Sequence, residues 1–347
     1  MVKIHTVGGF SEVGKNMVVV ELEEDAFIFD EGFFLPAVIS MQERDRIMTE
    51  KRLKSIGAVP EDSVIDKIKH KVRAQFISHA HLDHVGAIPF LSDKYKAPIY
   101  GTPFTIEVLN SLLNDNDIVL KNKVHAIKPN TTFYVNGKNK KYKVDFINIT
   151  HSTLQCLMMV IHTPKGAIIY GNDFKLDDTP IVGLKSNYKR LREIAKEGVL
   201  ALIPDSLYSS SERKTPSEKI ARALLGETLL TIQNKNAGMI VTTFSSHIAR
   251  LKSIVEFGKK LNREVVLLGR SLDKYSTAAK NIGAAPFLNN VRISKYRRQV
   301  EKTLQKVERR RKDYMIVCTG HQGEPGSILD RLSRHQLPFR LNSDDNI

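Results

Sequence analysis

Apolar residues fall in short blocks through the first two hundred positions. Met17–Leu22 reads MVVVEL and residues 26–30 read AFIFD; Glu23, Glu24 and Asp25 between them make a hairpin. Similar blocks at residues 2–7, 72–78, 97–100, 142–149, 157–162 and 167–171 predict further strands. Short strands joined by hairpins, with few helices between, predict a sheet-rich layered domain. The charged stretch 31–70 breaks this rhythm and is expected to be part-helical around 41–56. It is either an elaboration at the mouth of a site or a surface excursion.

Beyond residue 199 the pattern changes. Ser217 is placed to cap a helix over 217–235, with Ile220, Leu224, Leu225 and Thr228 at helical spacing. A strand at 238–243, a helix at 247–261, a strand at Glu264–Leu268, a helix at 272–282 and a strand at 313–318 follow. Alternation of this kind predicts a parallel sheet with helices on its faces. The change falls near residues 203–211, which divides the chain into 1–208 and 209–347.

The 347 residues suit two domains, and 41% hydrophobic content supports a sizeable core. Lys and Arg total 53 against 38 acidic residues, a formal charge of +15. A polyanionic partner would account for that excess, as would a generally basic composition. Cys156 and Cys318 are far apart and form no CxxC, so neither a disulfide framework nor a thiolate zinc site is suggested, and a reducing cytosol fits. Apolar runs such as 199–203 fall far short of the ~20 residues a membrane span needs. A cytoplasmic protein without membrane association is expected.

The chemistry concentrates in His79-Ala80-His81-Leu82-Asp83-His84, directly after the strand at 72–78. Imidazole and carboxylate donors suit zinc and similar divalent ions. A loop at a strand end can aim alternate side chains at two cations, His79 and His81 at one, Asp83 and His84 at the other. His151, Asp173 and Asp30 each follow a predicted strand. A carboxylate between two cations is a natural bridge, and another can orient imidazoles from behind. Alone, each of these three is an ordinary residue at a strand end; the cluster gives them weight.

HAHLDH resembles the HxHxDH signature of the metallo-β-lactamase superfamily. GGFSEVGKNM at 8–17, Thr150-His151-Ser152, GNDFKLD at 171–177, Pro204-Asp205-Ser206 and CTGHQGEP at 318–325 narrow the resemblance. Together they resemble the ribonuclease J family of the β-CASP nuclease group, in its archaeal form, from residue 3 to about residue 335. The resemblance implies an α/β protein: an αββα sandwich with an inserted parallel α/β β-CASP domain. It implies zinc-dependent hydrolysis of single-stranded RNA, 5′-to-3′ exonucleolytic with endonuclease activity as an option. Of two zinc ions per subunit, His79, His81 and His151 would hold one, and Asp83 and His84 the other. Asp173 would bridge them, Asp30 would support the site and Asp205 would assist the leaving group, so Asp83, Asp173 and Asp205 are the expected catalytic acids. The family's later SGH-like and HGE-like motifs are not found. That implies a weaker second metal and leaves two alternatives open: a catalytically incomplete RNA-binding or regulatory protein, and a non-nuclease hydrolase of the superfamily. A homodimer is also left open.

Residues 291–312 carry ten Lys or Arg against two Glu. Tyr296, Val300, Leu304 and Val307 share one helical face, so Arg309, Arg310 and Arg311 form either a wall for RNA or a solvated surface. Ser245, Ser246 and His247, between a strand and a helix, either hold a phosphate or reflect helix capping by Ser246. His321 lies between Gly320 and Gly323, in a turn that is either functional or simply a loop.

Overall fold

The computed structural model describes residues 1–44, 47–233 and 236–347. Their contacts divide them into two units, 1–176 with 184–214, and 177–183 with 215–347.

In the first unit one sheet runs in the order β1 (Val2–Gly8), β2 (Met17–Leu22), β3 (Asp25–Phe29), β4 (Val72–Phe76), β5 (Ile99–Gly101), β6 (Val124–Ala126). The second contains β7 (Thr131–Asn136), β8 (Lys141–Asn148), β9 (Leu157–Thr163), β10 (Gly166–Asn172) and β11 (Val199–Pro204), ordered β11-β10-β9-β8-β7. Helices α1 (Leu35–Arg44), α2 (Glu50–Ser55), α3 (Leu82–Val85), α4 (Ile88–Leu91), α5 (Pro103–Asp115) and α6 (Tyr188–Glu197) complete this unit.

Strand alternation explains the layering. Val18, Val20, Leu22, Phe27, Phe29 and Phe76 of the first sheet join Tyr142, Val144, Phe146, Met159, Ile161 and Tyr170 of the second in one buried cluster. Phe27 meets Tyr142 edge-on at 4.9 Å between ring centres, and Phe29 stacks on Tyr170 at 5.2 Å. Each such aromatic contributes ~1.5–3 kcal/mol by leaving water. The opposite faces are covered too. Met17, Val19 and Ile28 pack with Ile65 and Tyr95, and Ile147, Val160 and Ile169 pack with Ile194 of α6. This αββα layering is the one expected. It also explains why β2 is buried at every position, since both its faces are covered.

The second unit is a parallel sheet of β12 (Ile240–Thr242), β13 (Glu264–Leu268), β14 (Arg292–Ser294) and β15 (Tyr314–Cys318), ordered β12-β15-β13-β14. With it are α7 (Glu218–Leu230), α8 (Ile248–Lys260), α9 (Arg270–Asn281), α10 (Arg297–Arg309) and α11 (Ile328–Ser333). Among the described residues no helix is long and apolar enough to cross a membrane.

Several expectations need correction. The helix expected at 41–56 is two helices, α1 and α2; Thr49 caps the second by accepting from Arg52 N at 3.3 Å. Residues 45 and 46 of that stretch lie outside the described ones. Ser217 does cap α7, through Lys219 N at 3.2 Å, but α7 ends at Leu230, and residues 234 and 235 again lie outside the described ones. Its expected apolar face is turned outward: Ile220 is 52% and Leu224 58% exposed. The face that packs carries Gly226, where a Cβ would stand 2.7 Å from the Phe257 ring of α8. The contact boundary falls at 214/215, not 208, and residues 177–183 join the second unit. The reason is local: Asp177 accepts from Ser217 Oγ at 2.6 Å and from Glu218 N at 2.8 Å, placing a negative charge at the N-terminus of α7.

Glu218 ties α7 to α8. Its carboxylate takes Arg250 in a fork at 2.7 and 3.0 Å and lies 3.4 Å from His247 Nε2. Burial pushes its pKa up, but His247 and Arg250 outweigh burial and bring it down to about 2. A carboxylate with a depressed folded pKa stabilises above its unfolded value of 4.5 and loses that contribution as pH falls toward 2. The shift corresponds to ~3 kcal/mol. Urea unfolding should therefore show wild type more stable than Glu218→Gln at pH 7. The gap should narrow steadily below pH 4.5; a gap independent of pH would refute this assignment.

Candidate metal centre

The metal-site loop leaves β4 at Phe76 and turns into the single helical turn α3. Its backbone is stitched to residues 30–33. Glu31 N donates to His84 O at 2.8 Å, Phe33 N to Leu82 O at 2.9 Å, and Ala87 N to Glu31 O at 2.9 Å. Asn16 adds two donors to the Asp83 carbonyl, its backbone N at 3.1 Å and Nδ2 at 3.0 Å. Gly32 lies so close that a Cβ there would fall 1.5 Å from Asp83 O, so no other residue fits without moving the loop.

The described residues form two groups of ligand-type atoms, each within 4.8 Å of one another: His79, His81, His151 and Asp173, and Asp83, His84 and Asp173. His81 Nδ1 stands 3.0 Å from His79 Nε2 and 3.2 Å from His151 Nε2. Asp173 Oδ2 lies 3.7 Å from His151 Nε2 and 3.5 Å from His84 Nε2. Donors on a tetrahedral cation at ~2.0–2.1 Å stand ~3.3 Å apart, so the first group has the size and donor chemistry of a zinc-type site. Asp173 is common to both groups, as a bridging carboxylate would be. All six expected ligands are thus brought together.

The hydrogen bonds behind these imidazoles fix which nitrogen faces inward. Asp30 accepts from Ser78 N, Ser78 Oγ and His84 Nδ1, each at 2.7 Å, and from the Tyr170 hydroxyl. The Ser78 hydroxyl gives its proton to Asp30, so it must accept from His79 Nδ1–H, 2.9 Å away. His79 and His84 are thereby held with Nε2 turned toward the other donors, in the carboxylate-backed arrangement that favours metal binding. Asp30 thus lies behind the group, in contact with Ser78 and His84. Its positive φ of 59° is a conformation that Asp tolerates better than most residues.

The electrostatics agree. Burial, and then His84, His81 and His151, hold His79 well below the usual histidine range, so it is neutral and able to ligate. For His84 burial works downward, but Asp83, Asp30 and Asp173 together outweigh it and raise the pKa. Burial raises Asp173, yet His84, His151 and His81 bring it well below the carboxylate range. The converging carboxylates favour positive charge at this place.

Four supporting residues were not singled out by the sequence, although Asn16 and Asn172 lie within the quoted motifs at 8–17 and 171–177. Ser78 and Tyr170 sit in strand-type runs, and only the sandwich brings both to Asp30. Asn16 reaches Asp83 through a loop contact. Asn172, with φ 39°, donates through Nδ2 to Leu157 O and so sets the turn that presents Asp173. Ser78→Ala should cost ~10–100-fold in metal affinity while the fold persists. Competition against a chromogenic chelator measures it, and unchanged affinity would refute the orienting role.

Asp205 is exposed and outside both ligand groups; its N donates to Asn172 O at 3.1 Å, and its carboxylate accepts from Leu207 N at 2.8 Å. α8 is capped by His247, not Ser246: His247 Nδ1 accepts from Arg250 N at 3.3 Å. With its other nitrogen at Glu218, His247 is structural. Ser246 is buried and Ser245 partly exposed. His321 packs edge-on against Phe244 at 4.3 Å. Arg309 and Arg310 are exposed, and Arg310 pairs with Asp313 at 2.7 Å. Arg311 is not a surface cation. It binds Glu308 at 2.6 Å, Asp345 at 2.9 Å and Arg340 O at 2.6 Å, with its guanidinium 4.4 Å from the centre of the Phe339 ring. Tyr296 is 58% exposed and precedes α10, so it does not share the buried face of Val300, Leu304 and Val307.

Residues 61–214 match the beta-lactamase superfamily domain and residues 236–347 the ribonuclease J beta-CASP domain. Ribonuclease J of Methanocaldococcus jannaschii is 38% identical over 99% of this chain and 77% of its own length. Ribonuclease J of Pyrococcus abyssi is 39% identical over 97% of this chain and 74% of its own. A protein of unknown function from Enterococcus faecalis shares the fold, with TM-score 0.59 and 18% identity over 91% of this chain and 76% of that one. With both domain types in sequence and the ligand groups in place, the chain belongs to the ribonuclease J family.

Proposed function

We propose that this chain is a zinc-dependent ribonuclease that hydrolyses single-stranded RNA from the 5′ end. The observation that carries the reading is Asp173, shared by a histidine-rich group and an acidic one. Three imidazoles in the first group favour zinc over magnesium or calcium, which take oxygen donors. When bound, such a cation pair supplies Lewis-acid stabilisation of phosphoryl oxygens and a water of lowered pKa. The chain's own residues contribute preorganisation. Ser78 and Asp30 aim the imidazoles before substrate arrives, so little reorganisation is left for the reaction itself. Asp205, on the loop tied to Asn172, is the proposed aid to the leaving group. Catalysis is assigned to the lactamase-type domain and RNA holding to the β-CASP domain. The 5′-to-3′ direction rests on the ribonuclease J resemblance alone. A cytoplasmic setting would keep Cys156 and Cys318, both buried and free, reduced.

A second reading has its own support. Among the described residues the group of Asp83, His84 and Asp173 offers three donors, one fewer than the other. The second cation is then held more weakly, and at low zinc the chain would bind RNA without cutting it. RNA bearing a 5′-monophosphate, labelled at either end and incubated with the protein over a zinc series, tests both readings. Early release of labelled mononucleotide from the 5′ end supports the exonuclease, and internal fragments support endonuclease action. No cleavage at saturating zinc, with turnover of an ester or lactam, would replace the ribonuclease reading with another hydrolase.

A further inference from the structure

Helix α10 carries a surface that the metal centre does not use. Val300, Leu304 and Val307 enter the core of the second unit. On the opposite side Arg298, Lys302, Lys306 and Arg309 are exposed. At ~100° per residue these four lie within an arc of ~80°, and residues 298, 302 and 306 rise in steps of ~6 Å. A cleft of about 660 Å³ borders this face, lined by Arg292, Lys302, Lys306, Arg309 and Arg310.

The charge is only partly neutralised from within. Glu264 reaches Arg292 at 3.5 Å and Lys306 at 4.0 Å, and Asp313 takes Arg310. Among the described residues Arg298, Lys302 and Arg309 have no ion-pair partner. Like charges four residues apart destabilise a helix, and cations in a first turn that has no acid oppose its dipole. Both costs are relieved by a polyanion. Tyr296, 58% exposed at the N-cap with Lys295 Nζ 5.4 Å from its ring centre, adds an aromatic face beside the cations. Basic side chains with an open aromatic ring match an unpaired nucleic-acid strand, whose bases stack while its phosphates are neutralised.

We propose that the outer face of α10 is an RNA-binding site in which Arg298, Lys302, Lys306 and Arg309 contact phosphates and Tyr296 stacks on a base. The site lies wholly in the second unit and serves affinity, not bond cleavage. It rests on the ribonuclease reading for its ligand, and the test separates the two.

Binding of a labelled single-stranded oligoribonucleotide to the full chain is measured by anisotropy across a salt series, with EDTA to stop cleavage. The Lys302→Glu/Lys306→Glu/Arg309→Glu variant should bind on the order of 10–100-fold more weakly. Its plot of log affinity against log salt should be shallower by ~2, from three lost contacts at ~0.7 each. Replacing the same three residues with Gln should act in the same direction and guards against misfolding. Lys121→Glu/Lys123→Glu/Lys128→Glu, an equal charge change in the first unit, should leave the slope near wild type. Tyr296→Ala should weaken RNA binding roughly 5–100-fold. Hydrolysis of a small chromogenic phosphodiester should be unchanged in all these variants. Wild-type affinity and slope in the α10 variants, or an equal loss in the Lys121 control, would overturn the site. A wild-type protein that binds RNA but cleaves neither substrate in zinc would contradict the nuclease reading alone.

Discussion

His79→Ala is expected to lose the first metal and, with it, RNA hydrolysis. His79 is fully buried, neutral and aimed by Ser78, so its Nε2 is a preset donor. Removing one of four ligands from a site holding zinc by ~10–16 kcal/mol should cost ~2.5–4 kcal/mol, roughly 10²–10³-fold in affinity. Hydrolysis should fall further, because Asp173 serves both groups and loses its position when one cation leaves. Zinc content after dialysis and the rate on 5′-monophosphorylated RNA measure the two effects. A variant that keeps wild-type zinc and rate would show that His79 is not a ligand.

Arg311→Glu is expected to destabilise the second unit strongly, whereas Arg309→Glu is expected to leave its stability near wild type. The sequence makes the two arginines look alike, adjacent members of one basic run. In the fold Arg311 neutralises Glu308 and the nearly buried Asp345 and lies over Phe339. Reversing it leaves the nearly buried Asp345 without its cation and sets a third carboxylate beside it and the part-exposed Glu308, a change of the kind that costs ~3–5 kcal/mol. That is a large share of the ~5–15 kcal/mol that holds a domain together. Urea unfolding followed by circular dichroism should show an early transition in Arg311→Glu only. Equal midpoints in the two variants would refute the clamp. The finding also explains why reversing residues 309–311 together would confuse loss of RNA contact with loss of fold.

How much was legible follows from where each contact originates. Four of the six proposed ligands sit on one loop, so HAHLDH announces them without any tertiary information. His151 and Asp173 were recognisable because strand ends deliver side chains to one edge of a sandwich, and the strands themselves were plain. Ser78, Asn16 and Tyr170 were not, because each acts on a partner at least 48 residues distant in sequence, through contacts that only the folded sheets create. Helix α7 shows a different limit. Periodicity located the helix and its serine cap but not the face it buries, because a glycine receiving Phe257 and a glutamate pairing with Arg250 hold it there, while two larger apolar residues stay outside. At α8 the capping alternative describes the helix start, one residue along from Ser246, at His247.

Asp173 belongs to both ligand groups, and RNA cleavage is proposed to need both of them occupied. The most direct test strips the protein with chelator and titrates zinc back by calorimetry while hydrolysis of 5′-monophosphorylated RNA is followed in parallel. Two binding steps are predicted, a tight one for the group of His79, His81 and His151 and a weaker one for Asp83 and His84, with cleavage emerging only as the second fills. Cleavage at full rate in the stripped protein, or after the first equivalent alone, would contradict it.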